Sequence, residues 1–213
     1  MEAALVPRLY ARLRPGLGAA LAEFIAFGVK QAWACVFAGS LLALILLTKL
    51  AYPFESLARY DFLLGAALAL QILLIASGLE HKREVIVIAV FHAVATAMEL
   101  FKTSDAIGSW SYPETCTLAI AGVPLFAGFM YSAVGSYIAR VWRLFEFRFE
   151  GPMRLRPLGL LAVGAYLNFF AHHFIFDFRW ILLAWIVWEL RATWVVFTVV
   201  HLPRRMPLAL GLG

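Results

Sequence analysis

Six stretches of this chain are nearly free of charged side chains, and each runs 17 to 22 residues. They are Gln31–Thr48, Phe62–Leu79, Val85–Phe101, Leu118–Ala139, Leu158–Phe176 and Trp180–Val200. An α-helix rises ~1.5 Å per residue, so ~20 apolar residues cover the hydrocarbon core of a bilayer. None of the runs alternates apolar with polar residues, which excludes a transmembrane β-barrel. Composition agrees: 63% of the 213 residues are hydrophobic and only 15% are charged. A soluble domain carries ~25% charged residues, because its surface must meet water. A soluble globular domain, a disordered chain and a collagen-like fibre are therefore excluded. The expected fold is all-α, a polytopic bundle of six transmembrane helices joined by short loops.

Lysine and arginine orient such a bundle. Arg8, Arg12, Arg14, Lys30, Lys82, Arg83, Arg140, Arg143, Arg148, Arg154, Arg156, Arg204 and Arg205 fall on one side, 13 in all. Lys49, Arg59, Lys102 and Arg179 fall on the other, and Arg191 lies within the sixth run. Basic residues collect on the cytoplasmic side, so both termini are expected there. The formal net charge of +5 serves anionic lipid in this reading, and no nucleic-acid partner is expected. Residues 1–30 form a cytoplasmic or interfacial segment broken at Pro15-Gly16, residues 31–200 the transmembrane domain, and residues 201–213 a cytoplasmic tail. Residues 1–23 have no long apolar core, so no secretory signal is expected. Cys35 and Cys116 fall on opposite sides, which leaves them as unrelated thiols.

Two features are specific to the fourth run. Gly128, Ser132, Gly135 and Ala139 are spaced 4, 3 and 4, which places small residues on one helix face and permits close helix–helix approach, self-association included. Pro124 is expected to kink the same helix.

Ionisable groups inside a span are costly, so each needs a partner or a function. Counting from the outer helix ends, Glu99 lies roughly 3 Å deep and His92 roughly 14 Å. His173 and His172 lie at roughly 5 and 6 Å, Asn168 at about 12 Å, and Glu189 and Arg191 at roughly 14 and 16 Å. His92, Asn168, Glu189 and Arg191 thus form an expected midplane layer. Glu99, His172 and His173 form an outer layer capped by Lys102, Asp105, Glu114 and Asp177. His92 and Glu99 share a helix face, as do Asn168 and His172. Glu189 and Arg191 point apart, so each is expected to find a partner on another helix.

Histidine and carboxylate groups of this kind can ligate a divalent metal or do general acid–base work. There is no HExxH or CxxC, and His172 and His173 diverge by about 100° if helical. Glu99, His92, His172 and His173 are the catalytic candidates. Asn168, Glu189, Arg191, Lys102, Asp105, Trp110 and Tyr112 are the substrate-binding ones. The structural readings stand beside these: an intramembrane histidine more often bonds a neighbouring helix than a ligand, Glu99 can pair with Lys102, and Glu189 with Arg191 can be part of a structural network.

The run His92–Glu114, HAVATAMELFKTSDAIGSWSYPE, places a buried acid before Lys102-Thr103, Gly108-Ser109-Trp110 and Tyr112-Pro113-Glu114. Val123–Phe126 (VPLF), Gly128–Tyr131 (GFMY), Val134–Ala139 (VGSYIA), Arg143-Leu144-Phe145, Asn168–His173 (NFFAHH) and Arg204-Arg205-Met206-Pro207 follow in order. These stretches, covering roughly Phe24–Leu210, resemble the bacterial membrane family catalogued as domain of unknown function 817. The resemblance implies a multi-pass protein of the bacterial inner (plasma) membrane and carries no established activity. It also implies a further helix and a second acid–Gly–Trp–Tyr-Pro loop beyond Gly213 in family members. The buried acid and its Trp/Tyr-Pro loop are similar to those of carotenoid cyclase and hydratase membrane proteins.

Three functions compete at this stage. One is a membrane-embedded enzyme acting on a lipid or isoprenoid through the outer Glu/His cluster. Another is a small-solute or proton transporter using the midplane layer. The third is a non-catalytic scaffold subunit using the Gly128–Ala139 stripe.

Overall fold

The computed structural model describes residues 2–201 and 203–209. The chain is mostly helical, with eight helices among the described residues. It divides into two compact units: Gly28–Leu144, and the segments on either side of it. Each is described by itself.

Helix α1 is Glu2–Leu17 and α2 is Ala19–Ala34. The break between them is not at Pro15-Gly16, which lie inside α1, but at Gly18. Gly18 has φ +77°, a left-handed conformation that glycine adopts without the clash of a Cβ. Helix α3, Val36–Leu50, follows α2 after Cys35 with a 65° bend. The first apolar run is therefore a broken helix.

Helix α4, Arg59–Ala76, and α5, Lys82–Thr103, lie in the Gly28–Leu144 unit. Gly78, with φ +72°, ends the last turn of α4. His81 and Glu84 then form a capping box that starts α5. Strands β1, Ala119–Ile120, and β2, Val123–Pro124, make a two-stranded hairpin, and helix α6 runs Phe126–Phe145. Both central turn residues, Ala121 and Gly122, have positive φ, as a tight two-residue hairpin requires. The fourth run is thus not helical from Leu118. Pro124 lies in β2 and does not kink α6; lacking an N–H, it is tolerated ahead of a helix and not inside one.

Leu41 of α3, Leu63, Leu64 and Ala67 of α4 and Phe126 of α6 form one buried cluster, and Phe37, Leu74 and Ala133 form another. The small-residue stripe faces α5. A Cβ on Gly128 would lie 2.5 Å from His92 Nδ1 and Thr96 Oγ1, and one on Gly135 would lie 3.0 Å from Phe91. Ser132 Oγ donates to the Ile88 carbonyl at 3.3 Å. The stripe therefore brings α6 against α5, the close approach that small residues permit.

In the other unit, helices α7, Leu155–Ala171, and α8, Arg179–Leu190, form an antiparallel hairpin. Strand β3, Arg148–Glu150, pairs with β4, Trp194–Thr198, which pairs with β5, Pro203–Pro207, all antiparallel. The sixth run is consequently helical only to Leu190. Beyond it Trp194-Val195-Val196-Phe197-Thr198 is β-branched and aromatic, a composition that fits a pleated surface better than a helix. Part of the expected cytoplasmic tail is strand β5, and residues after 209 lie outside the described ones.

Two helices, α4 and Arg83–Thr103 of α5, are long and apolar enough to cross a membrane. The bent α2–α3 pair is a third candidate if counted as one span. Of the remaining expected spans, the fourth begins in strand, the fifth is the 17-residue α7 and the sixth ends in strand.

Candidate functional site

One face of α5 is buried at Ile88, Ala95 and Glu99, with His92 between them. The spacing of 4, 3 and 4 is that of a single helix stripe, and it opposes the α6 stripe. Glu99 is 2% exposed. A buried carboxyl group must find donors, and three converge here. Trp110 Nε1–H donates to Oε2 at 2.9 Å, and the Tyr112 hydroxyl donates to the same oxygen at 2.7 Å. The Tyr131 hydroxyl, from α6, donates to Oε1 at 2.7 Å.

Loop geometry delivers the first two. After α5 the chain turns through Ser104, whose carbonyl accepts from Ile107 and Gly108 N–H. Gly108 takes φ +56°, and Ser109 N–H returns to the Lys102 carbonyl at 2.9 Å. Residues 104–118 thereby fold back over the end of α5. Burial and the Glu99 carboxylate both push the Tyr112 hydroxyl well above its ordinary pKa, so it stays a hydrogen-bond donor. Tyr60 meets Tyr112 edge-on at 6.0 Å and stacks on Phe126. The loop is also tied to α4. Glu114 accepts two 2.7 Å hydrogen bonds from Arg59, which, with Lys49 at 3.6 Å, hold its carboxyl below the usual range. Asp61 accepts from Thr117 and Leu118 N–H at 2.8 and 3.0 Å.

His92, half-buried, sits in the space that Gly128 leaves, its ring 4.6 Å from Phe129. Lys102 is buried beside the loop, and Asp105 is exposed on it.

A second polar cluster lies at the opposite ends of these helices, and sequence reasoning missed it. Glu80 and Arg140 are an ion pair with both side chains fully buried, at 3.5 Å. Ser136 Oγ donates to Glu80 Oε1 at 2.5 Å, and Gln71 Nε2 donates to Oε2. Arg140 Nη1 also donates to the Trp33 carbonyl at 3.1 Å, in the last turn of α2. Lys30 donates to the Leu144 carbonyl, and Arg143 to that of Leu79. Lys30 and Arg140 thus satisfy carbonyls in the last turns of α6 and α2, the charge preference of a helix C-terminus, and Arg143 satisfies one in the turn after α4.

In the other unit, Asn168, 7% exposed, organises the turn between α7 and α8. Its Nδ2 donates to Asp177 Oδ1, and its Oδ1 accepts from Phe178 N–H. The Asn168 Nδ2 bond, followed by Arg179 N–H and its guanidinium, holds the Asp177 carboxyl down at about 2. His172 Nδ1 lies 2.9 Å from the Asn168 carbonyl. The His172 and His173 rings approach to 4.0 Å instead of diverging, because both follow the last residue of α7.

Glu189 and Arg191 do not occupy the middle of a long helix, since α8 ends at Leu190. Glu189 pairs with Arg154, the residue capping α7, at 3.0 Å. Among the described residues Arg191 stacks on Trp188 of its own helix at 3.7 Å and donates to the Trp188 carbonyl, in place of the expected partner on another helix. Among the described residues, no three His, Cys, Asp or Glu side chains are grouped to hold a metal ion. Tyr131 escaped sequence reasoning although it closes the Gly128–Tyr131 motif. Its position three residues after Gly128, on the face turned to α5, was the available signal.

The fold and site define a mostly helical protein with two or three helices able to cross a membrane, built around a buried glutamate that loop aromatics hold. The chain belongs to the family described as "Protein of unknown function (DUF817)", which matches residues 23–213. It is 40% identical over 192 residues to the uncharacterized protein YoaT of Bacillus subtilis (strain 168), covering 90% of this chain and 72% of that one. No solved structure matches it.

Proposed function

We propose that this protein is a multi-pass enzyme of the bacterial plasma membrane that acts on a lipid or isoprenoid through Glu99. The observation that carries the reading is the convergence of Trp110, Tyr112 and Tyr131 on one buried carboxylate. An acid buried in an apolar helix is expensive and is a functional candidate by default. Here its donors are aromatic side chains, two of them from a loop, so the walls suit an apolar substrate while the carboxylate supplies the acid or base. Lys102 and Asp105 border the same loop. We place this end toward the outer leaflet and the Lys30, Arg140 and Arg143 end in the cytoplasm, with both termini there.

The test is lipid and isoprenoid profiling by mass spectrometry in a strain lacking the protein. The expected result is a changed species that the wild-type gene restores and Glu99→Gln, present at equal level in the membrane, does not. Identical profiles for the deletion, the wild type and Glu99→Gln would sink the proposal.

A further inference from the structure

The two carboxylate oxygens of Glu99 are held differently. Oε1 is bonded by Tyr131, which stands on α6. Oε2 accepts from two side chains of the 104–118 loop, Trp110 and Tyr112. That loop has its own fastening. The bidentate Arg59–Glu114 pair ties it to the first residue of α4, with the arginine side chain 13% and the glutamate 29% exposed. Two backbone N–H groups on Asp61 anchor its far end. A planar guanidinium meeting both oxygens of a carboxylate is a strong and geometrically specific contact, yet one that opens without disturbing the helix core.

From this asymmetry we infer that residues 104–118 are a lid over the site, that Arg59–Glu114 is its latch, and that Oε2 is the oxygen offered to substrate when the lid lifts. Tyr131 is then a positioning residue, keeping the carboxylate aimed while Trp110 and Tyr112 withdraw. The inference rests on the role proposed for Glu99, but accessibility can be measured without any substrate. A closed lid excludes water and competing molecules from the acid, and opening admits an apolar molecule at the loop side.

The probe is dicyclohexylcarbodiimide, a membrane-soluble reagent that modifies carboxyl groups. Full-length protein in phospholipid nanodiscs is treated, and modification of Glu99 is followed by peptide mass spectrometry against exposed Glu55 as internal reference. Glu114→Gln and Arg59→Met should each speed Glu99 modification about tenfold and leave Glu55 unchanged, since ~1.4 kcal/mol of lost latch is a tenfold gain in open population. The charge-swapped pair, Arg59→Glu with Glu114→Arg, should return the rate toward wild type. It also serves if a single variant does not fold. Tyr131→Phe leaves the lid closed and should not give the latch-variant rate. A Glu99 rate unchanged in both latch variants, or still fast in a folded charge swap, would overturn the lid. Unchanged lipid profiles with latch-dependent labelling would instead overturn the enzymatic reading and leave the lid standing.

Discussion

Gly128 is the residue on which the packing of α6 against α5 turns, since a methyl group there would lie 2.5 Å from both His92 and Thr96. Gly128→Ala should destabilise the protein by about 1–3 kcal/mol, the usual cost of forcing an extra methyl into a packed interior. Gly159, in α7, has nothing within 4 Å of where its Cβ would stand. Gly159→Ala should be neutral or stabilising by up to ~1 kcal/mol, because it restrains the unfolded chain. Detergent-unfolding curves of the two variants measure both. Equal effects would mean that the α6 stripe is not a packing surface. The same residues show what the sequence made readable. Spacing alone placed Gly128, Ser132 and Gly135 on one face and Glu99 with His92 on another. It did not reveal that Tyr131 and Glu99 meet, because a hydrogen bond between side chains 32 positions apart leaves no local pattern.

Elements carry the largest differences between pattern and structure, and each has a local cause. Hydropathy does not distinguish a helix from a strand in a short apolar run, and Trp194–Thr198 was hidden for that reason. The hairpin before α6 was hidden likewise, with Ala121 an unobvious residue for a left-handed turn. The α2–α3 bend has no proline or glycine at Cys35 to announce it. What the structure shows there is a carbonyl of the last α2 turn, Trp33, bonded by Arg140. Arg140→Met should therefore cost about 3–5 kcal/mol, since it strands the Glu80 carboxylate in the interior. Arg140→Met with Glu80→Leu should cost less than the single change, and unfolding in detergent compares them. A single-variant loss under ~1 kcal/mol would show that the pair is solvated in the membrane. The α7–α8 turn has its own signature. Asp177 is held at about 2, below its unfolded value near ~4. A depressed acid contributes its stability above the unfolded pKa and loses it as pH falls through the folded one. Exchange of the Phe178 and Arg179 amides should therefore remain protected above ~pH 4 and become unprotected toward ~pH 2, and Asp177→Asn should abolish that pH dependence.

At the scale of the whole molecule, apolar content and basic-residue bias are readable because they sum over many positions and tolerate local error. The number of crossings is not, because it depends on where each run stops being helical. The proposed orientation makes one claim that two native cysteines can test. Cys35 lies at the α2–α3 break, two residues from the Trp33 carbonyl that Arg140 holds, and Cys116 lies in the loop that Glu114 fastens to Arg59. Both are free thiols, partly buried. If the Arg140 end faces the cytoplasm, a membrane-impermeant maleimide added outside intact spheroplasts should label Cys116 and spare Cys35. Burial and then Asp61 push the Cys116 thiol upward, which lowers its thiolate fraction, so the reaction is run at mildly alkaline pH. Cys116→Ser should abolish the outside signal, and Cys35→Ser should leave it. Labelling of Cys35 from outside would invert the assigned orientation. Because the lid, the latch and Glu99 share an end with Cys116, it would also move the proposed chemistry to the cytoplasmic leaflet, where a different pool of lipids would have to supply the substrate.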